Sequence, residues 1–170
     1  DGLDENLLEV SEAVTMNGTS TVNTTQTFLR INRAFVTTAG SNGNNAGNIS
    51  ISVGGNLQAF IEANEGQTHQ ALFTVPANKY FILDLYAVGV GRMSGSSDAQ
   101  ISGQIKPAYA DAAWRAISDI HLWNGGRHMN SSSATVLPPG TEGRVQITST
   151  SATQMDAVFG GYLVETRVWG

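Results

Sequence analysis

The sequence predicts an all-β protein: a β-sandwich of jelly-roll topology, with about ten strands and no substantial helix. Three observations lead there. Short stretches of apolar, aromatic and β-branched residues recur along the chain, several of them alternating with polar residues. Turn signals built from Gly, Asn and Pro separate them at intervals of roughly ten residues. No stretch carries a convincing helical period.

The chain is organised around Gln67–Gly91, QTHQALFTVPANKYFILDLYAVGVG. Pro76-Ala77-Asn78-Lys79 connects two apolar arms, Gln67–Val75 and Tyr80–Val90. Proline pre-sets φ at the first central turn position, and asparagine tolerates the left-handed region that closes such loops. The pair reads as a hairpin whose second arm would span roughly 36 Å at ~3.3 Å per residue. Phe81, Leu83, Leu85 and Ala87 line one side of that arm; Tyr80, Ile82, Tyr86 and Val88 line the other. A strand apolar on both sides is expected to be buried on both, at the centre of the fold.

From the N-terminus, Leu8, Val10, Val14 and Met16 keep a period of two, a half-buried strand ending at Asn17-Gly18, the strongest short hairpin signal. Thr19–Thr27 would be its returning arm. Phe28–Thr37 alternates as a strand with Arg30 and Arg33 on opposite faces. A Gly/Asn loop, Ala39–Asn48, leads into the alternating Asn48–Val53, which stops at Gly54-Gly55. Leu57–Ile61 is short, and Glu62–Gly66 is a turn. Arg92–Asp98 is a loop, and Ala99–Lys106 is a strand broken by Gly103 and closed by Pro107. Trp114–Trp123 fits period two apart from Ile117 and Trp123, and reads as a strand. Met129–Thr135 is a loop before Val136-Leu137 and Pro138-Pro139-Gly140. Gly143–Thr148 and Gln154–Glu165 are the last clear strands, and Gly160-Gly161 reads as a bulge or a close backbone approach.

At 170 residues, with no linker or internal repeat, one domain spanning 1–170 is expected. The start Asp1-Gly2-Leu3, without Met or a signal pattern, suggests processing or the C-terminal part of a longer gene product. Charged residues make up 14% of the chain, against about 25% in ordinary globular proteins. Ser, Thr, Asn and Gly take their place. Interface cores are depleted of the same charges, so the composition suits a subunit packed among its own copies; a free-standing sandwich fits it too. A net charge of −5 argues against a nucleic-acid partner, which needs a basic patch. No apolar run approaches the ~18 residues of a membrane-spanning helix, and no membrane partner is expected. The absence of cysteine removes disulfides and thiolate metal sites, and fits a reducing compartment.

Several segments resemble virion structural proteins of tailed phages, marine ones especially, and of related environmental DNA viruses. They are Gly2-Leu3-Asp4, Ser11-Glu12, Val14-Thr15 and Asn17-Gly18-Thr19 near the start; Leu29–Val36 followed by Ala39–Gly43 and Asn45–Ile49; Gly66-Gln67-Thr68 with Thr74–Lys79; and Phe159–Val164. Asn78 stands where that family usually has Gly. The resemblance covers residues 2 to about 165 and rests on turns and strand edges, which speak for fold rather than for a site. It implies a non-enzymatic particle component (capsid decoration, vertex, tail or fibre), located in the virion, assembled in the host cytoplasm, and partnered by its own copies and other virion proteins. It implies further sequence ahead of the first segment, and no cofactor or catalytic residue.

Few residues suggest chemistry of their own. Asp84 sits mid-strand among apolar neighbours; a buried carboxylate needs a partner or a proton. It is either a catalytic acid or the structural partner of Arg30 or Arg33, and the ion pair is the expectation, since no second carboxylate lies in register as glycoside hydrolysis requires. His69, His121 and His128 are the only histidines; the last two flank Asn124-Gly125-Gly126 and could meet across a hairpin, but a metal site wants three or four ligands. Trp114, Trp123 and Tyr109 could form a platform for stacking a surface glycan, the alternative function of a carbohydrate-binding or adhesin module; aromatics at this spacing are more often core residues, and nine residues apart in a regular strand the two tryptophans face opposite sides. The Gly40–Asn48 loop lacks the acids of a calcium site and the lysine of a phosphate cradle, and no nucleophile elbow occurs. The N-x-S/T triplets at Asn17, Asn23, Asn48 and Asn130 are what a Ser/Thr-rich chain produces by chance.

Overall fold

A computed structural model of the chain describes residues 1–41, 43–90, 98–108, 112–123, 127–130, 135–149 and 155–166. These residues form strands, turns and coil, with no helix, so the protein is all-β. The packing divides into two compact units, Asp1–Gln70 and Ala71–Gly170.

In the first unit, β1 (Gly2–Leu3) lies between β2 (Glu9–Val10) and β3 (Arg30–Ile31), antiparallel to both. A Cβ on Gly2 would run into the Arg30 carbonyl, so only glycine lets β3 approach here. Leu3, opposite Arg30, and Ile31, opposite Gly2, fall on opposite faces of this small sheet, and both are buried. The strand expected over Leu8–Met16 is laddered only at Glu9–Val10. Beyond it the chain runs out to a turn bridged at Asn17 and Ser20 and returns, with residues 13–27 all exposed. The Asn-Gly turn is present, but no ladder joins the legs beyond that bridge.

β4 (Ile49–Val53) and β5 (Asn56–Ile61) form a hairpin with a two-residue loop. Gly54 and Gly55 have φ of +57° and +81°, the mirror-image turn whose twist suits paired strands. Phe35 bridges Gln67, and the Gln70 side chain donates to the Ile31 carbonyl at 3.0 Å.

The second unit contains two antiparallel four-stranded sheets. One has the order β6 (Leu72–Thr74), β12 (Glu142–Ser149), β8 (Asp98–Lys106), β9 (Arg115–Trp123). The other is built on β7 (Lys79–Val90), with β13 (Met155–Glu165) along one edge and β10 (Arg127–Asn130), then β11 (Thr135–Leu137), along the other. The long apolar arm is thus the central strand of its sheet. Side chains of both sheets meet between them. Val75, Phe81 and Leu137 cluster with Phe73, Leu83, Ile105 and Leu163, while Ala99, Ile101 and Leu122 cluster with Ile120, Val145, Ile147 and Ala157. That is a sandwich-like arrangement.

The expected hairpin at Pro76 does not form. Lys79 N–H donates to the Pro76 carbonyl at 3.2 Å, so the turn itself is there. Its arms, however, enter different sheets, β6 against β12 and β7 against β13. Val75 explains the divergence: its N–H donates to the Thr141 carbonyl and its own carbonyl accepts from Gly140, both at 2.9 Å. Buried Val75 and Pro76 are thereby pinned to the Pro138–Thr141 turn, and the chain crosses the sandwich. The first arm is itself divided, Gln67–Gln70 lying in the first unit and β6 in the second.

The pairings of the second unit nest. β8 pairs β9; outside them β7 pairs β10 and β11; outside those β6 pairs β12. β13, the outermost strand in sequence, pairs with β7 alone among the described residues.

Candidate functional site

Asp84 is not the buried mid-strand carboxylate expected. Gly160 lies opposite Leu85 and Gly161 opposite Leu83, so Asp84 is the extra residue of a β-bulge and is exposed. The bulge shifts the alternation of β7 by one position, which is why the segment reads as apolar on both sides; β7 is not buried on both faces, since Tyr80 and Asp84 are exposed. A solvated carboxylate needs no ion pair. Arg30 and Arg33 belong to the first unit. Arg30 donates to the Leu29 carbonyl at 3.1 Å; Arg33 donates to Gln67 Oε1 at 3.0 Å and lies 5.0 Å from the Phe35 ring centre.

Trp114 lies just ahead of β9, half-buried, with the Arg144 guanidinium 4.1 Å from its ring centre. Arg144 Nε donates to Gln104 Oε1 at 2.9 Å, which holds the cation against that ring face. Trp123 is the last residue of β9, opposite Asp98, and its side chain lies outside the described residues, as does all of Tyr109. Along the strand the two tryptophan positions are separated by about 30 Å, too far for one sugar ring to touch both. Ile117, which spoiled the alternation, has no partner on β8: Gln104 pairs Ala116 and Gly103 pairs Ser118, so it is a bulged, exposed residue.

The three histidines lie on separate elements. His69 is exposed, 3.1 Å from Glu65 Oε2. His121 is on β9 and His128 on β10, in different sheets, so the hairpin expected between them is absent. Among the described residues no group of three His, Asp or Glu side chains could hold a metal ion.

What the fold does assemble is an apolar surface. On the outer side of the β7 sheet, Tyr162, Ile82 and Val136 lie opposite one another across three strands, and Val164 lies opposite Tyr80 in the next row. Tyr162 and Val136 are each 55% exposed, and Tyr80 and Val164 are exposed as well. Their neighbours Phe81, Leu137 and Leu163 point the other way, into the core. Alternation is the signal that finds this surface: Tyr162 and Val164 are large and apolar in the opposite phase to Leu163. Monomers rarely expose large contiguous apolar patches without a partner for them. The patch is rimmed by Asp84 and by the Lys79–Glu165 ion pair at 3.7 Å.

The first unit presents a second unusual surface, the arm 13–24. Thr25 and Gln26 donate their backbone N–H groups to the Glu12 carboxylate at 2.7 to 3.0 Å, closing the arm at its base. These bonds hold the Glu12 pKa below its ordinary value, Thr25 contributing most and Gln26 next. From Ala13 to Leu29 the chain has no charged residue, and Val14, Met16 and Val22 are exposed.

No family model, no curated protein and no solved structure matches the chain.

Proposed function

We propose that this protein is a non-enzymatic structural subunit of a viral particle, a jelly-roll domain that assembles with copies of itself and with other virion proteins. The observation that carries the reading is the outer apolar face of the β7 sheet, with Tyr80, Ile82, Val136, Tyr162 and Val164 side by side. Burying such a face against a neighbour releases about 25 cal/mol for each Å² of apolar surface. The charge-poor composition favours the same outcome, because few ionised groups would lose their water on association.

The nested pairing supports the jelly roll. A jelly roll is a long hairpin rolled so that successive strands alternate between two sheets. Among the described residues of the second unit, β8 and β9 are the one sequential pair of strands that stays in a sheet side by side, while the steps β6 to β7, β7 to β8, β9 to β10, β11 to β12 and β12 to β13 each cross to the other sheet. If β10 and β11 count as one interrupted strand, the order is that of an eight-strand jelly roll lacking the strand beside β13. The segments that resemble phage virion proteins supply the viral context, and the virion is the proposed location.

Two measurements test the reading. Mass spectrometry of purified particles from the source should find the chain, and sedimentation velocity of the isolated protein should find oligomers. Absence from every particle preparation would refute the viral assignment. A single monomeric species at all concentrations would refute self-assembly.

A further inference from the structure

Edge strands of native sheets are short, charged, interrupted by proline, or covered. β13 has eleven residues, and Ala157–Val164 contains neither charge nor proline. Among the described residues nothing pairs with its edge away from β7. That edge is also where the nested pairing stops short: the three inner layers of the rolled hairpin each have both strands, and the outermost has β13 alone.

The same chain carries a segment in the complementary condition. The legs of the arm, residues 13–16 and 21–24, lie outside any strand, are uncharged, and are rich in Thr and Val, which favour pleated structure. Among the described residues, no hydrogen bond to another segment holds the backbone of Ala13–Met16, since the turn bond from Ser20 to Asn17 and the clamp at Glu12 lie at the two ends of the arm. Val14 and Met16 fall on one side of an extended leg, with Met16 50% exposed. The leg from Ser11 to Met16 would span about 20 Å, within the roughly 36 Å of β13. The stretches that would face each other, Ala13–Met16 and Ala157–Val164, lack charge, so neither repels the other.

We infer that the open edge of β13 is the docking site for the 13–24 arm of a second copy of this chain. The leg Ala13–Met16 adds to the β7 sheet as its missing strand. Main-chain hydrogen bonds supply the attraction, and Val14 and Met16 extend the apolar row that ends at Tyr162 and Val164. Two copies that exchange arms close a two-fold dimer, and copies that pass the arm onward close a ring or grow a filament. The inference deepens the assembly reading above and rests on its premise that copies associate.

The absence of native cysteine makes the test direct. Met16→Cys and Tyr162→Cys, both at exposed positions, are prepared as separate full-length proteins, mixed, and treated with a short bismaleimide. Cross-links joining the two variants should exceed those within either variant alone by at least about tenfold. In parallel, Val14→Asp with Met16→Asp is compared with the unaltered protein by sedimentation velocity, with circular dichroism checking that the β-structure is kept. The double variant should lose the larger species. Equal cross-linking in mixed and unmixed samples, or a double variant that is folded and sediments like the parent oligomer, overturns the arm as the joint while leaving self-assembly standing. A parent protein that is monomeric throughout overturns both.

Discussion

The carboxylate of Glu12 accepts hydrogen bonds from the backbone N–H groups of Thr25 and Gln26, at 2.9 and 2.7 Å to its nearer oxygens, and so ties together two points of the chain that no strand pairing joins. Ionised oxygen is the better acceptor, so these bonds favour the charged form and lower the pKa. A depressed folded-state pKa contributes stability above the unfolded value, and that contribution is lost as pH falls through the folded one. Amide protection factors at Thr25 and Gln26 should therefore persist from neutral pH into the ordinary carboxylate range and fall only below it. In Glu12→Ala they should be low throughout. Equal protection in the variant would show that the clamp does not hold the arm.

Gly161 sits where a Cβ would strike the Ile82 carbonyl. Backbone cannot yield as a flexible side chain can, so Gly161→Ala should destabilise the second unit by about 2–3 kcal/mol. Gly143→Ala meets only ordinary contact, nearest the Leu137 side chain at 3.9 Å, and should change stability by less than about 1 kcal/mol. Urea titration of the two variants tests the contrast, and equal midpoints would refute the close approach.

Asn45 is a buried amide with every role filled. Its Nδ2 donates to the Gly47 and Glu62 carbonyls at 2.9 and 2.8 Å, and its Oδ1 accepts from Gly66 N–H at 2.9 Å. Asn45→Ala strands three partners and should cost about 3 kcal/mol, whereas Asn48→Ala, which loses one exposed bond to Ala63 N–H, should cost about 1 kcal/mol. Thermal melts of both variants decide it; a milder effect at Asn45 than at Asn48 would contradict the geometry.

The outer sheet face predicts a separation between assembly and folding. Val136→Glu with Tyr162→Glu adds charge at two exposed positions, so the folding stability should hold within the roughly 0.5 kcal/mol typical of surface changes. The oligomer population should fall. If charge at both positions leaves association untouched, the face is not where copies meet.

Much of the local structure is legible in the sequence. Local chemistry carried its own instructions at Gly54-Gly55, where two positive φ angles make the turn, and at Gly160-Gly161, where a register shift and a close approach coincide. Partner choice was not local. Pro76–Lys79 makes the turn its residues predict, yet what decides between a hairpin and a crossing is the pinning of Val75 by Gly140 and Thr141, far along the chain. Asp84 misled for a similar reason: alternation assumes an unbroken pleat, and a single bulge turned a residue expected in the interior out to solvent. The candidate surfaces were legible only in outline, because exposure of Tyr162 or Val14 depends on what the rest of the chain leaves uncovered. His121 and His128 stand on strands of different sheets, and the Trp114 ring is covered by Arg144.

The pairing of β7 with β13 joins Lys79 to Glu165 at one end and Val90 to Met155 at the other. On a ribosome, the central strand emerges long before the segment that seals one of its flanks. Contacts between distant parts of a chain are slow to form, and unsealed strand flanks are sticky while they wait. Synthesis of this protein therefore passes through an interval in which Lys79–Val90 is vulnerable to the wrong neighbour, and translation speed or chaperone supply across the final third of the message will govern the yield of native chains.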